Sequence, residues 1–151
     1  MYVKLVSKET AAFYTGISEL LTHVLDSYGN QIELAALSNA CGAYVRAVLT
    51  CNNFSDSFIV QLGADEVPKA KPSPEGLLQI CKQVQIEPSE CVYIGDSPSD
   101  GAAAKAAGMM SIGVLWGSHP ESTVRPAFTE TVSTIPELKV AIDKMMSDKL
   151  K

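Results

Sequence analysis

Two carboxylates four residues apart, Asp96 and Asp100, follow directly on the run Cys91–Val92–Tyr93–Ile94–Gly95. Cys91 to Ile94 reads as a strand buried on both faces, as in a parallel sheet. Pro98 suits the first turn of a helix and Gly108 its left-handed stop. Asp96 then stands at the carboxyl end of a strand and Asp100 on the first turn of the next helix, the rim where open α/β sheets bind ligands. Two acids placed so close repel unless a proton or a cation lies between them, and a hard, oxygen-seeking ion such as Mg²⁺ answers that need. The plainer alternative makes Asp96 a helix cap and Asp100 a partner of the helix dipole. The strand before them and two stretches upstream favour the metal.

The upstream stretches supply what a phosphate needs. Ile32–Leu37 is a second strand candidate and ends at Ser38–Asn39, which puts Ser38 on the same rim as Asp96. Its hydroxyl, with the amides of Asn39 and Ala40 opening a helix, offers donors to an anionic oxygen. Lys71 precedes Pro72 and is expected in extended backbone, away from any helix. As a loop cation it should be exposed, so that Lys71→Ala weakens anion binding while leaving the melting temperature nearly unchanged. Hydroxyl, cation and acid pair together make a phosphate site. No nucleophile accompanies them.

The elements that must position these residues can be read along the chain. Ile17, Leu20, Leu21, Val24 and Leu25 recur at helical spacing, and Tyr28–Gly29–Asn30 ends that helix. His23 falls off the apolar stripe and is expected on the solvated surface. A helix from Ala40 to about Thr50 should turn Tyr44, Val45, Val48 and Leu49 inward. Phe58–Val60 is a short strand, and Gly63–Lys71 a polar loop. Ser73–Pro74–Glu75 opens a helix reaching about Gln85, Met110–Trp116 is a further strand, and Pro136 opens a last helix to about Met146. Trp116, Ser118 and His119 follow a strand at that rim and could touch a leaving group, although His119 beside Pro120 reads more simply as a surface loop residue. Alternating strands and helices predict one α/β domain over residues 1–151, a Rossmann-like parallel sheet with flanking helices.

Composition narrows the function further. The 151 residues carry a net charge of −5 with a pI near 5.0, which argues against a partner held through nucleic-acid phosphates. No apolar run approaches membrane-spanning length. Cys41, Cys51, Cys81 and Cys91 form no CxxC and sit among apolar neighbours, as buried thiols of a reducing compartment would. A cytoplasmic location is expected, with an organelle left open.

From about Phe13 to the C-terminus these residues, in this order, resemble the haloacid dehalogenase (HAD) superfamily, close to its phosphoglycolate phosphatase-like members. Leu37–Ser38–Asn39 resembles the second motif, whose hydroxyl binds the phosphoryl group. Lys71–Pro72–Ser73–Pro74–Glu75 resembles the third, whose Lys steadies the negative charge. Gly95–Asp96–Ser97–Pro98–Ser99–Asp100 resembles the fourth, whose first Asp ligates Mg²⁺ while the second supports or shares that role. The resemblance implies a Mg²⁺-dependent phosphomonoesterase that passes through an aspartyl-phosphate and acts on a small phosphorylated metabolite.

One departure is large. The family's first motif, a buried strand ending in DxDxT whose first Asp is the nucleophile, has no match in this sequence. Its helical cap is also absent, apart from a remnant within residues 1–12, a last helix in Tyr2–Glu9. The chain is therefore expected to be the C-terminal part of a longer protein and inactive as it stands. The alternative is a non-catalytic module that binds phosphate or a partner chain. In the family the missing strand lies between the strands ending at Ser38 and Asp96, which would otherwise stand about 10 Å apart with unpaired ladders and invite self-association. Tyr2–Val6 could fill that gap and bring Ser7 and Glu9 to the positions of the family's two Asp residues, but Lys4 in its middle argues against a central strand.

Overall fold

Two parallel three-stranded ladders carry the molecule. The computed structural model describes residues 2–3 and 14–149. Strands β1 (Tyr2–Val3), β2 (Glu33–Leu37) and β3 (Phe58–Leu62) pair in that order, and β4 (Val92–Gly95), β5 (Met110–Val114) and β6 (Glu130–Val132) in theirs. Tyr2 registers with Glu33 and Val3 with Leu34, while β1 also lies beside β4. The start of the disfavoured Tyr2–Val6 stretch thus stands between the strands that end at Ser38 and Asp96. It is strand and not the cap-remnant helix expected there. Unpaired backbone groups at a buried edge cost more than a poor strand sequence, so pairing wins over pattern. Lys4–Val6, Ser7 and Glu9 lie outside the described residues.

Side chains alternate to two buried layers. On one face Leu34, Ala36, Ile94, Ile112 and Val114 pack under α1 (Ile17–Tyr28) and α6 (Ile135–Lys149). On the other, Ala35, Leu37, Val60 and Tyr93 pack under α3 (Glu75–Val84) and α4 (Pro98–Ala107). The apolar stripe of α1 is as its spacing requires, with Ile17, Leu20, Leu21 and Val24 buried. Helix α4 ends at Gly108, whose φ of 77° is left-handed as a glycine stop requires. Helix α2 (Gly42–Cys51) opens two residues later than its sequence suggests and leaves Tyr44 half-buried, and β3 runs on to Leu62. A single turn, α5 (Glu121–Val124), follows β5.

Two expectations change. His23 is half-buried rather than solvated, because its Nε2 meets Asp143 Oδ1 at 2.8 Å and ties α1 to α6. Cys41 and Cys51 are exposed; only Cys81 and Cys91 are buried, with their sulfurs 3.7 Å apart. Burial, with Cys91 alongside, pushes the Cys81 thiol up to about 12. Among the described residues no helix is long and apolar enough to cross a membrane.

Candidate functional site

The chain leaves β4 at Gly95 and turns into α4 through Asp96 and Ser97. Ser97, not Asp96, caps the helix: its Oγ accepts the Asp100 amide at 3.3 Å. Asp100 answers by accepting the amides of Asp96 and Ser97 on Oδ2 at 3.1 and 3.2 Å, closing a capping box. The carboxylate lies so tightly over the strand end that a Cβ on Gly95 would fall 2.5 Å from Asp100 Oδ2. Asp96 is buried, and the bare backbone of Gly117 abuts it; a Cβ there would lie 2.6 Å from Asp96 Oδ2.

Lys71 is not the exposed cation its loop context suggests. It is 8% exposed, and its ammonium donates to Asp100 Oδ1 and, at 2.9 Å, to the Tyr93 hydroxyl. The loop turns inward because Asn39 holds the Lys71 backbone and because a buried ammonium is tolerable only beside a carboxylate. Tyr93 Oη lies 3.2 Å from Asp100 Oδ1 and 3.4 Å from the Leu37 carbonyl, so one hydroxyl bridges the ends of β2 and β4. Lys71 Nζ is 5.5 Å from the Tyr93 ring centroid but only 2.9 Å from its oxygen, which places it off the ring's edge and not over its face. Burial, and then the charge of Asp100, push the Tyr93 hydroxyl well above its ordinary pKa of 10.0, so it stays protonated and must donate.

Ser38 continues β2, its amide donating to the Leu62 carbonyl at 3.1 Å, and its Oγ accepts the Ala40 amide at 3.1 Å. The pair of amides expected to open a helix is therefore altered. Ala40 is bonded to Ser38, and the helix proper begins at Gly42, whose amide donates to Asp65 Oδ1 at 2.8 Å. Asn39 acts through its side chain. The loop after β5 reaches the rim by Gly117; Trp116 is half-buried against the core and Ser118 is exposed. His119 is half-buried, and its Nδ1 is enclosed without a hydrogen-bond partner among the described residues. Sequence reasoning thus found Ser38, Lys71, Asp96 and Asp100 at one edge but missed Tyr93, Gly117 and the carboxamide of Asn39. Only Gly117 had a signal, as a glycine just past a strand on that rim.

Residues 1–114 match the family model of haloacid dehalogenase-like hydrolases. The chain belongs to that family. Phosphoglycolate phosphatases of Shigella boydii and Escherichia coli K12 are 31% identical to it over 123 residues, an alignment covering 76% of this chain and 49% of theirs. The chain thus spans about half the length of the curated relatives it matches. A HAD family hydrolase of Deinococcus radiodurans, solved with bound phosphate and sodium, superposes with a TM-score of 0.74 at 25% identity, covering 87% of this chain and 59% of that one. A HAD-superfamily hydrolase of Ehrlichia chaffeensis gives 0.71 at 28% identity, covering 87% and 58%.

Within this HAD-like site the two acids differ in kind. Asp100 receives four protein donors, two amides on Oδ2 and the Lys71 and Tyr93 groups beside Oδ1, which fills a carboxylate's capacity. Among the described residues no three His, Cys, Asp or Glu side chains gather to cage a metal. The set fits an ion that takes one or two carboxylates and completes its shell with substrate phosphate and water, which is the habit of Mg²⁺.

Proposed function

We propose that this chain forms the phosphate-handling core of a Mg²⁺-dependent phosphomonoesterase of phosphoglycolate phosphatase type, acting on a small phosphorylated metabolite. The observation that carries this is the buried Lys71–Asp100 pair at the carboxyl rim beside Asp96. A cation held there by a carboxylate, with no room to swing into solvent, is preorganised for a phosphoryl oxygen. Ser38 Oγ donates to a second phosphoryl oxygen, Asp96 is the metal ligand, and Asp100 holds Lys71 in place. Bound Mg²⁺ would neutralise phosphoryl charge, as it does in phosphate chemistry generally.

These residues bind and stabilise charge but do not attack phosphorus. The sequence has no DxDxT, and the hydrogen bond at Ser38 Oγ comes from an amide, not from a base. The chain by itself should therefore bind phosphate and turn over esters at or near the background rate. Removing a nucleophile typically costs on the order of 10⁴- to 10⁶-fold in rate. The test compares orthovanadate binding with hydrolysis of p-nitrophenyl phosphate and phosphoglycolate in Mg²⁺. Binding that is lost in Lys71→Met, without turnover, is expected. Robust Mg²⁺-dependent hydrolysis that Asp96→Asn removes would falsify the non-catalytic half of this reading and direct mutagenesis to Ser7 and Glu9.

A further inference from the structure

Tyr93 lies in the strand that leads to Asp96 but outside the three motifs, yet its hydroxyl is the junction of the site. Residues alternate along a strand, so Tyr93 and Gly95 share one face of β4. The missing side chain at Gly95 makes room for the Asp100 carboxylate, and the phenol rises toward it from an otherwise apolar layer of Leu37, Leu77 and Ile80. Tyr93 is 2% exposed, so its hydroxyl needs partners, and those it meets among the described residues belong to the rim: Lys71 Nζ, Asp100 Oδ1 and the carbonyl of Leu37, next to Ser38.

An ammonium has three N–H donors. Lys71 gives one to Asp100 and one to Tyr93, and its third has no partner among the described residues. Two fixed bonds lock rotation about Cε–Nζ and thereby set the direction of the third. With Asp100 alone the ammonium is free to spin, and it can turn two N–H groups onto the same carboxylate. We propose that Tyr93 is a positioning residue: its hydroxyl, by taking the second N–H of Lys71, aims the third at the oxyanion of a bound phosphoryl group. The same hydroxyl ties that ammonium to the end of β2 and so fixes its span to Ser38. This rests on the reading of the rim as a phosphoryl site.

The test uses the whole chain with orthovanadate and inorganic phosphate as probes, followed by calorimetry. Tyr93→Phe keeps the ring and removes one hydrogen bond, and should weaken orthovanadate about threefold to tenfold. Ile80→Val, in the same buried layer, should lower the melting temperature without changing that affinity. Lys71→Met should abolish binding. Tyr93→Phe binding as tightly as wild type while Lys71→Met does not would overturn the role of Tyr93 and leave the rim reading standing. Equal weakening by Ile80→Val would reduce Tyr93 to a structural part and overturn the proposal too. Absence of vanadate binding by wild type, or its retention in Lys71→Met, would sink the rim reading and this proposal together. Should Tyr93→Phe not fold, ¹⁵N-lysine spectra of wild type decide. The Lys71 ammonium should exchange slowly and shift on vanadate addition; a signal exchanging like those of exposed lysines would refute a locked ammonium.

Discussion

The carboxamide of Asn39 grips the backbone of Lys71 at both its polar groups. Nδ2 donates to the Lys71 carbonyl at 3.1 Å, and Oδ1 accepts the Lys71 amide at 3.1 Å. A residue two steps beyond the end of β2 thereby fixes a loop residue 32 positions later, and the Lys71 side chain enters the site from a backbone held on both sides. Asn39→Ala removes both bonds and should cost about 1–3 kcal/mol of stability. Orthovanadate affinity should fall with it, because the ammonium loses its anchor. An Asn39→Ala protein with lower stability and unchanged anion affinity would show that the grip only closes the loop.

The ion pair beneath it bears on stability in a way its sequence context hides. Lys71 and Asp100 are both buried, so removing one partner strands the other. Asp100→Ala also opens the capping box of α4 and should be the worse of the two, at about 3–5 kcal/mol. Lys71→Met leaves a carboxylate still satisfied by two amides and a phenol, and should cost less. The double variant Lys71→Met/Asp100→Ala should be more stable than additivity of the singles predicts. Chemical denaturation of the four proteins measures this, and strict additivity would contradict a coupled pair.

Much of the site was legible because its residues sit at strand ends, and strand ends are marked by composition. The apolar runs before Ser38 and before Asp96, with Pro98 and Gly108 around α4, place two rim residues and their helix without ambiguity. Lys71 was found but misjudged. Its burial depends on Asn39 and Asp100, which are remote in sequence, and nothing local to Lys71–Pro72 reports them. Tyr93 was invisible for the opposite reason: within Cys91–Ile94 it reads as one more core residue, which it also is. The pairing of β1 with β2 went against the pattern because Lys4 weighs heavily in a strand reading, whereas the open ladder of β2 weighs more in the fold.

A second prediction on charge concerns the far side of the sheet. Asp143 Oδ1 accepts from His23 Nε2 at 2.8 Å and from the Tyr28 hydroxyl at 2.7 Å, and Lys139 approaches Oδ2 at 3.2 Å. Burial raises its pKa, but the bonds from His23, Tyr28 and Lys139 together outweigh that and hold it below the ordinary 3.8. A carboxylate whose pKa is lower folded than unfolded stabilises fully above the unfolded value, and the gain is lost as pH falls through the folded one. Asp143→Asn should therefore lose about 1–2 kcal/mol at neutral pH. The gap to wild type should narrow as pH drops below 3.8. Urea midpoints across that range test it, and a gap that stays constant into acid would mean that the loss is packing, not charge.

The last prediction concerns the contact between Gly117 and Asp96. A methyl group on Gly117 would come within 2.6 Å of Asp96 Oδ2 and 2.7 Å of its Cβ, so one of the two must move. The loop after β5 is therefore the wall that sets where the Asp96 carboxylate stands. If Asp96 is the chain's carboxylate for Mg²⁺, binding by the protein alone should be weak, in the millimolar range or above. Added phosphate should tighten it by completing the shell with its own oxygens. Asp96→Asn should abolish binding in both conditions, and Gly117→Ala should weaken it by displacing the carboxylate. Ser118→Ala, one residue on and exposed, should leave it unchanged. Amide chemical shifts followed through a Mg²⁺ titration read all four proteins. Micromolar binding without phosphate, or Gly117→Ala binding as wild type does, would mean that the ion is held by groups other than Asp96 at this wall.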